Sequence, residues 1–527
     1  MPRFSALRAA LLAACNVAAT SERARAGEQA AGAVPPRSPA ATLRALEARV
    51  SSFQLDNGLR FVVCERHQAP IFNAHLYADV GAFDEVEGST GLAHLLEHLA
   101  FKGTRTLGTR DYAAERLALD DVDALYYALR DKVLAGAPPD VVETARQKLM
   151  AAEASASAAY EVPNAYGATV RKEGGVGLNA ETGYDSTKYY CSLPANKLEL
   201  WFALEADRLQ NAVFRGMYSE KEVIEEERRL RLDNSPQGTF QQAFLEASYP
   251  QSNYRRPIIG YQRDFEMLGR REVQAFQQER YGPSSMTIAI AGDVTPERVQ
   301  QLAQEYFGGW RPAAAFGSGS GNLAPSAAGA TGAIKREPTE LSLKLPSSPL
   351  LYMGYPRGDR DSPDAIPVSL LCSAVSIGRT SPFYQRLIKK RRALYAAASP
   401  TFPGEKYDTQ ALLIAAPVDG GSPRKLKGDL TRELQAVLDP RSPDALEEGI
   451  ALAKKQAEGA RRRALASNPA CASALAAAEA LGSDRGWREL VDRAERSEQT
   501  SPDEVRQVGR RVFDESNAMT TAFLLRA

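Results

Sequence analysis

Two of the four histidines in this 527-residue chain fall in one five-residue window, His94-Leu95-Leu96-Glu97-His98. On an α-helix, side chains four residues apart project from the same face, about 40° apart, so both imidazoles can reach one metal ion. Glu97 lies one turn from His94 and next to His98, near enough to take a proton from a water at that ion. Neutral imidazole suits Zn2+, which in catalytic sites takes three protein ligands and keeps an open position. The spacing therefore predicts one zinc ion per chain on His94 and His98, with a third ligand from elsewhere. The bland alternative is an amphipathic helix in which Leu92, Leu95, Leu96 and Leu99 form the buried face without any metal.

Such a helix needs a frame. From Phe53, FQLDNGLRFVVCERH reads as two strands around an Asn57-Gly58 turn, and residues 71–81 alternate as a third strand. The motif helix starts near Ser89-Thr90-Gly91. Residues 110–135 and 140–160 read as a helical hairpin with solvated charged faces, separated by Gly136-Ala137-Pro138-Pro139. A strand pair at 174–193 precedes two helices, ANKLELWFALEADRLQNAVF and SEKEVIEEERRLRLDN. Residues 285–294 read as a buried strand, and TPERVQQLAQEYFGGW opens a helix. Residues 312–333, nearly free of large apolar and charged side chains, read as a linker. Beyond it come a strand at 350–356, a helix at 369–377 and a strand at 409–418. The halves offer elements in a similar layout, but their sequences do not declare a repeat. The expected divisions are a leader at 1–45, a first domain at 46–311, the linker, and a second domain at 334–527.

Lys+Arg and Asp+Glu are both 65, so the formal net charge is zero, which argues against nucleic acid as the main partner. No run of about twenty apolar residues occurs, so no transmembrane helix is expected. The first residues have the layout of an export leader, with Arg3 and Arg8 before an Ala/Leu stretch. Two processing routes are open: a lipid anchor at Cys15 in Leu12-Ala13-Ala14-Cys15, or cleavage at Ala24-Arg25-Ala26 to give a periplasmic or secreted protein. Without export the chain would be cytoplasmic. Five cysteines are too few for a disulfide scaffold; Cys64 and Cys191 are the pair open to bridging if the fold brings their strands together. His67 and His75 are expected on strands, in packing or surface roles.

GSTGLAHLLEHLAFKGT (88–104) resembles the active-site helix of the pitrilysin/insulinase-type zinc peptidases, the group that includes the mitochondrial processing peptidase; its His-x-x-Glu-His motif inverts the better-known His-Glu-x-x-His. The resemblance continues in GLNAETGYDSTKYY, YSEKEVIEEERRLRLDNSP, YGPSSMTIAIAGDVTPERVQQLAQEYFGGW and, more weakly, SPFYQRLIKKRRALY. It implies an α+β fold of two related α/β halves forming a clamshell, with the helical hairpin (about 107–165) as an insertion. It also implies zinc-dependent endopeptidase activity on extended peptides or unfolded polypeptides, with Glu97 as general base. Aligning Val223-Ile224 with the family's usual pair implies Glu227 as third ligand and Glu220 as a supporting carboxylate, although Glu222, Glu225 and Glu226 crowd the same helix. Asn179 and Ala180 match the strand that family substrates join as an extra strand, and Tyr395 matches a substrate-contacting tyrosine.

Two departures stand out. The stretch from His98 to Glu227 exceeds the family's usual spacing, which the hairpin accounts for. The arginine that normally accompanies the tyrosine falls on Ile388, with Arg386 and Lys389 nearby. That predicts a related partner subunit carrying an intact Arg/Tyr pair, or else a homodimer or lone clamshell in which Arg386 or Lys389 stands in. A non-catalytic assembly subunit and a metal-free peptide-binding module are the readings from other classes.

Overall fold

Asn57 turns the first hairpin and ties it down: its side-chain amide donates to the carbonyls of Phe307 and Trp310 at 2.7 and 2.9 Å. The computed structural model describes residues 46–311 and 337–527, apart from 442–443, 483–484, 515 and 518–519. The expected leader, including Cys15, and the expected linker at 312–333 lie outside the described residues.

The first half is built on strands β1 (Val50–Gln54), β2 (Arg60–Glu65), β3 (Ile71–Ala78), β4 (Val176–Thr182), β5 (Thr187–Pro194) and β6 (Met286–Gly292), ordered β1-β2-β6-β3-β5-β4. Only β2 and β6 pair in parallel. Every residue of β6 is buried, Thr287 included, as suits a mostly apolar strand covered on both faces. Around this sheet lie α1 (Leu92–Leu99), the hairpin helices α2 (Tyr112–Leu134) and α3 (Pro139–Tyr160), α4 (Leu198–Asn211), α5 (Met217–Arg228), α6 (Pro236–Ser248) and α7 (Pro296–Phe307). At the end of α5 the helix does not continue regularly. Arg229–Asp233 widen into a π turn before Ser235 caps α6.

The second half carries β7 (Thr339–Leu345), β8 (Leu350–Arg357), α8 (Ala365–Ser376), β9 (Ala393–Phe402), β10 (Thr409–Pro417), α9 (Pro423–Leu438), α10 (Asn468–Leu481) and β11 (Thr520–Arg526). Its sheet runs β7-β11-β8-β10-β9. That order repeats β2-β6-β3-β5-β4 strand for strand, with the single parallel pair, β7 with β11, in the matching place. The internal repeat that the sequences do not declare is thus explicit in the pairing. It puts α8, which follows β8, where α1 follows β3; α8 holds no histidine or carboxylate.

The halves close on each other through aromatic packing. Phe83, Phe240, Phe244 and Tyr254 meet Tyr352, Phe402 and Ile414 in one cluster, and Phe83 stacks on Tyr407 with centroids 3.8 Å apart. Lys406 also reaches Asp79 at 2.8 Å. Helix α10 covers the other face of the first sheet, packing Cys471 and Leu475 against Val62, Cys64 and Ala291.

Two expectations need correction. His67 sits in the turn after β2, not on a strand, and its Nδ1 lies 2.7 Å from Asp293. Cys64 on β2 and Cys191 on β5 are separated by β6 and β3, about 14 Å at ordinary strand spacing, beyond the reach of a disulfide. The thiol facing Cys64 is that of Cys471 on α10.

Candidate metal and peptidase site

α1 is a short helix, and its apolar residues Leu92, Leu95, Leu96 and Leu99 are buried, as in the bland reading. A buried leucine face does not exclude a metal site on the same helix. The leucines seat the helix while the imidazoles of His94 and His98 project from its other side, ring centroids 4.7 Å apart. The helix begins at Gly91, whose φ of 93° is left-handed and open to glycine, and which has no side chain to cap the first turn. Glu85 supplies that cap from the preceding loop. Its two oxygens accept the backbone N–H groups of Gly91 and Ala93, each at 2.8 Å. Burial pushes the Glu85 carboxyl up to about 8, against the pull of these amides and of Arg256.

α5 crosses α1 and brings its acidic residues to the histidines. Among the described residues, His94, His98 and Glu227 form the one group of three metal-capable side chains, their ligand atoms within 4.8 Å of one another. Glu227 Oε2 lies 3.4 Å from His98 Nε2 and 3.8 Å from His94 Nε2. Ligand atoms about 2.0–2.1 Å from a tetrahedral zinc are about 3.3 Å apart, so the Glu227–His98 spacing already suits that ion and the other ligand atoms need to draw closer to hold it. The neighbouring glutamates point elsewhere. Glu226 pairs with exposed Arg229 at 2.6 Å, and Glu222 and Glu225 line a cavity on the far side of α5.

A second ring of partners orients the first. Glu220 Oε1 lies 3.0 Å from His98 Nδ1, and its Oε2 takes Lys102 at 2.5 Å. Such a carboxylate fixes the ring orientation of a histidine ligand. Glu227 Oε1 is held by Arg231 at 2.7 Å. Glu97 accepts the hydroxyl hydrogen bond of Thr182, the last residue of β4, at 2.7 Å.

The electrostatics suit a cation. Burial, then the neighbouring His98, lower His94 to about 4, so its imidazole is neutral, and its buried Nδ1 has no hydrogen-bond partner among the described residues. Burial opposes a charge on His98, but hydrogen bonds to Glu220 and Glu227 outweigh it and raise this group to about 9. Glu227 is lowered, chiefly by its bond to His98. The two carboxylates draw positive charge to the two imidazoles, and His94, His98 and Glu227 suit zinc once the ion displaces the Nε2 proton of His98. Burial raises the pKa of Glu97, the direction a general base near neutral pH needs.

The remaining expected residues lie further out. Asn179 and Ala180 are on β4, which forms the sheet edge next to α1; Asn179 donates to the Tyr190 hydroxyl at 3.1 Å. Tyr395 is on β9, the corresponding edge of the second sheet, opposite Ala416 and against the aromatic cluster between the halves. Ile388 ends a wide turn, and neither cation near it is free: Arg386 reaches Glu433 at 3.1 Å, and Lys389 reaches Gln385 at 3.2 Å. Glu85, Thr182 and Arg231 escaped the sequence reading. The partners of Glu85 and Thr182 lie across a loop or on another element, where no fixed spacing marks them, whereas Arg231 stands at the ordinary i, i+4 spacing from Glu227 and could have been read from it.

Residues 60–119 match the family described as insulinase, peptidase family M16, and residues 268–452 match the domain described as peptidase M16 inactive domain. The zinc protease PqqE of Helicobacter pylori is 25% identical over 259 residues, 49% of this chain and 46% of that protein. An uncharacterized zinc protease of Mycobacterium bovis is 27% identical over 277 residues, 52% of this chain and 50% of the relative. The chain thus matches about half the length of these curated relatives. A protease from Helicobacter pylori superimposes with a TM-score of 0.71 at 20% identity, over 90% of this chain and 99% of that one. The periplasmic protease PqqL from Escherichia coli gives 0.63 at 16% identity, over 91% of this chain and 48% of that one. These two likenesses concern the fold.

Proposed function

We propose, from the premise that the chain belongs to the insulinase-type peptidase family, that it is a zinc-dependent endopeptidase acting on extended peptides or unfolded polypeptides. The observation that carries this reading is the convergence of His94, His98 and Glu227, with Glu97 tied by Thr182 to the edge strand β4. Zinc held by the three ligands would supply a Lewis acid for a water and for the scissile carbonyl. Glu97 takes the proton of the attacking water and returns it to the departing amine. β4 has an open side for a substrate strand, so main-chain hydrogen bonds near Asn179 and Ala180 would align the peptide with little regard to sequence. His98, oriented by Glu220, and Glu227, held by Arg231, keep their places while the substrate enters and leaves.

The second half supplies the opposing wall of the cleft, with Tyr395 as its contact to substrate. Ile388 brings no charge there, and the engagement of Arg386 with Glu433 favours a related partner subunit that carries the missing arginine. The leader-like first residues and the likeness to a periplasmic protease support action outside the cytoplasm. No described helix is long and apolar enough to cross a membrane.

The test is hydrolysis of a quenched peptide library by the purified chain, with and without chelator, beside Glu97→Gln. Activity abolished by chelator and by Glu97→Gln, with zinc still bound in the variant, is the expected result. Near-normal turnover by Glu97→Gln would sink the role of Glu97, and chelator-insensitive hydrolysis would sink the zinc mechanism.

A further inference from the structure

The two helices that meet at the metal site start alike. α1 begins after Gly91 and α5 after Gly216, both left-handed, with φ of 93° and 57°, and neither glycine has a side chain to satisfy the free N–H groups of the first turn. Glu85 does so for α1. For α5 the cap comes from the helical hairpin. Glu153 on α3 accepts the Tyr218 N–H at 2.9 Å through Oε1, and through Oε2 the Ser219 N–H at 2.8 Å and the Ser219 hydroxyl at 2.6 Å. Tyr218 and Ser219 are the second and third residues of the helix, where a capping carboxylate normally binds. Glu153 is only 3% exposed, so these donors replace water. Asp123 on α2 adds a bond from the Tyr218 hydroxyl at 2.8 Å and is itself held by Arg270. Further along, the hairpin and α5 part around a cavity of about 330 Å3 lined by Tyr126, Leu149, Lys221 and Glu225. The polar grip of the hairpin on α5 is therefore concentrated at the first turn.

We propose that Glu153 is a positioning residue for the metal site and that the hairpin serves as a brace for α5; this rests on the zinc reading above. A buried carboxylate at the helix start satisfies two amides and interacts favourably with the helix dipole. Glu220, bonded to His98, lies in the first turns of that helix, and Glu227 follows two turns later on the same face. Fraying or rotation at the start of α5 thus moves the partner of one ligand and then another ligand. Lys221 anchors the same turn independently, donating to the carbonyls of Glu266 and Leu268 at 3.0 and 2.9 Å, so losing Glu153 loosens the helix without releasing it.

The experiment measures zinc affinity of the full chain by competition with a chromogenic chelator, for wild type, Glu153→Gln, Glu153→Ala and Glu143→Ala. Glu143 lies on the exposed face of the same helix and serves as control. The expected result is a zinc Kd raised about tenfold by Glu153→Ala, less by Glu153→Gln, which keeps one acceptor oxygen, and unchanged by Glu143→Ala. Hydrogen exchange on the metal-free proteins should show the Tyr218 and Ser219 amides protected in wild type and fast in the Glu153 variants, while β3 and β6 stay protected in both. A folded Glu153→Ala protein with wild-type zinc affinity overturns the proposal. If both variants fail to fold, exchange in wild type decides: fast Tyr218 and Ser219 amides overturn the proposal, and slow ones support it. A wild type that binds zinc and responds as expected but cleaves no peptide would sink the peptidase reading alone. A wild type that binds no zinc would overturn both.

Discussion

Arg231 Nη1 lies 2.7 Å from Oε1 of Glu227, the carboxylate oxygen that faces away from His94 and His98. The pair is possible because Arg231 follows Glu227 by about one turn, in the π turn that ends α5. It leaves Glu227 a single oxygen for a metal and holds the other in place. Arg231→Met should therefore raise the zinc Kd about tenfold, the lower end of what losing such a partner costs. Chelator competition checks this, and an unchanged Kd would show that the pair is incidental.

The acidic run on α5 gives a sharper test of register. His94→Ala, His98→Ala and Glu227→Ala should each lose zinc together with activity, whereas Glu226→Ala, whose partner is exposed Arg229, should keep both. Metal analysis of the purified variants decides. Full zinc in Glu227→Ala with loss in Glu226→Ala or Glu222→Ala would mean a different carboxylate is the ligand.

Thr182 links the edge strand to the general base. Thr182→Val removes one hydrogen bond to a charged group, worth about 1.5–3 kcal/mol, and should lower kcat at least about tenfold with zinc content unchanged. Steady-state kinetics on a single peptide would reveal it. A rise in KM with kcat intact would assign Thr182 to substrate binding instead.

His75 gives the fold an acid-sensitive point away from the site. It is buried on β3, stacked on Tyr190, and burial followed by the nearby Lys188 lowers it to about 4. Between that value and the unfolded pKa of about 6.5 the unfolded chain binds more protons, so stability falls as pH drops through this window. The loss amounts to about 3 kcal/mol. Urea unfolding from pH 7 to pH 4 should show wild type losing more stability than His75→Phe. Parallel curves would refute the assignment.

The partner subunit can be titrated directly. With Arg386 bound to Glu433, Arg386→Ala should change the activity of the lone chain little, and a related subunit carrying an Arg/Tyr pair should raise kcat/KM about ten- to a hundredfold. Full activity of the chain alone, lost on Lys389→Ala, would favour local substitution.

Much of this was legible in the residues alone. Local rules act over a few positions, and they sufficed for the Asn57-Gly58 hairpin, the helical hairpin at 110–160 and the i, i+4 face that pairs His94 with His98. A helix of period 3.6 also places Glu220 and Glu227 on one face, but five glutamates within eight residues left the choice to resemblance. Only the crossing of α1 and α5 shows which carboxylate meets the imidazoles, because the crossing depends on packing around a whole core. The same holds for the repeat of the two sheets, which lives in strand order and survives divergence of the side chains. His67 and the Cys64–Cys191 pair went astray where a turn and a sheet order, both nonlocal, decided position. The capping glutamates are the clearest case: Glu85 is joined to its helix through a loop and Glu153 reaches across from another helix, so no spacing rule could announce them, and only the fold that buries both carboxylates against open helix starts gives them their task.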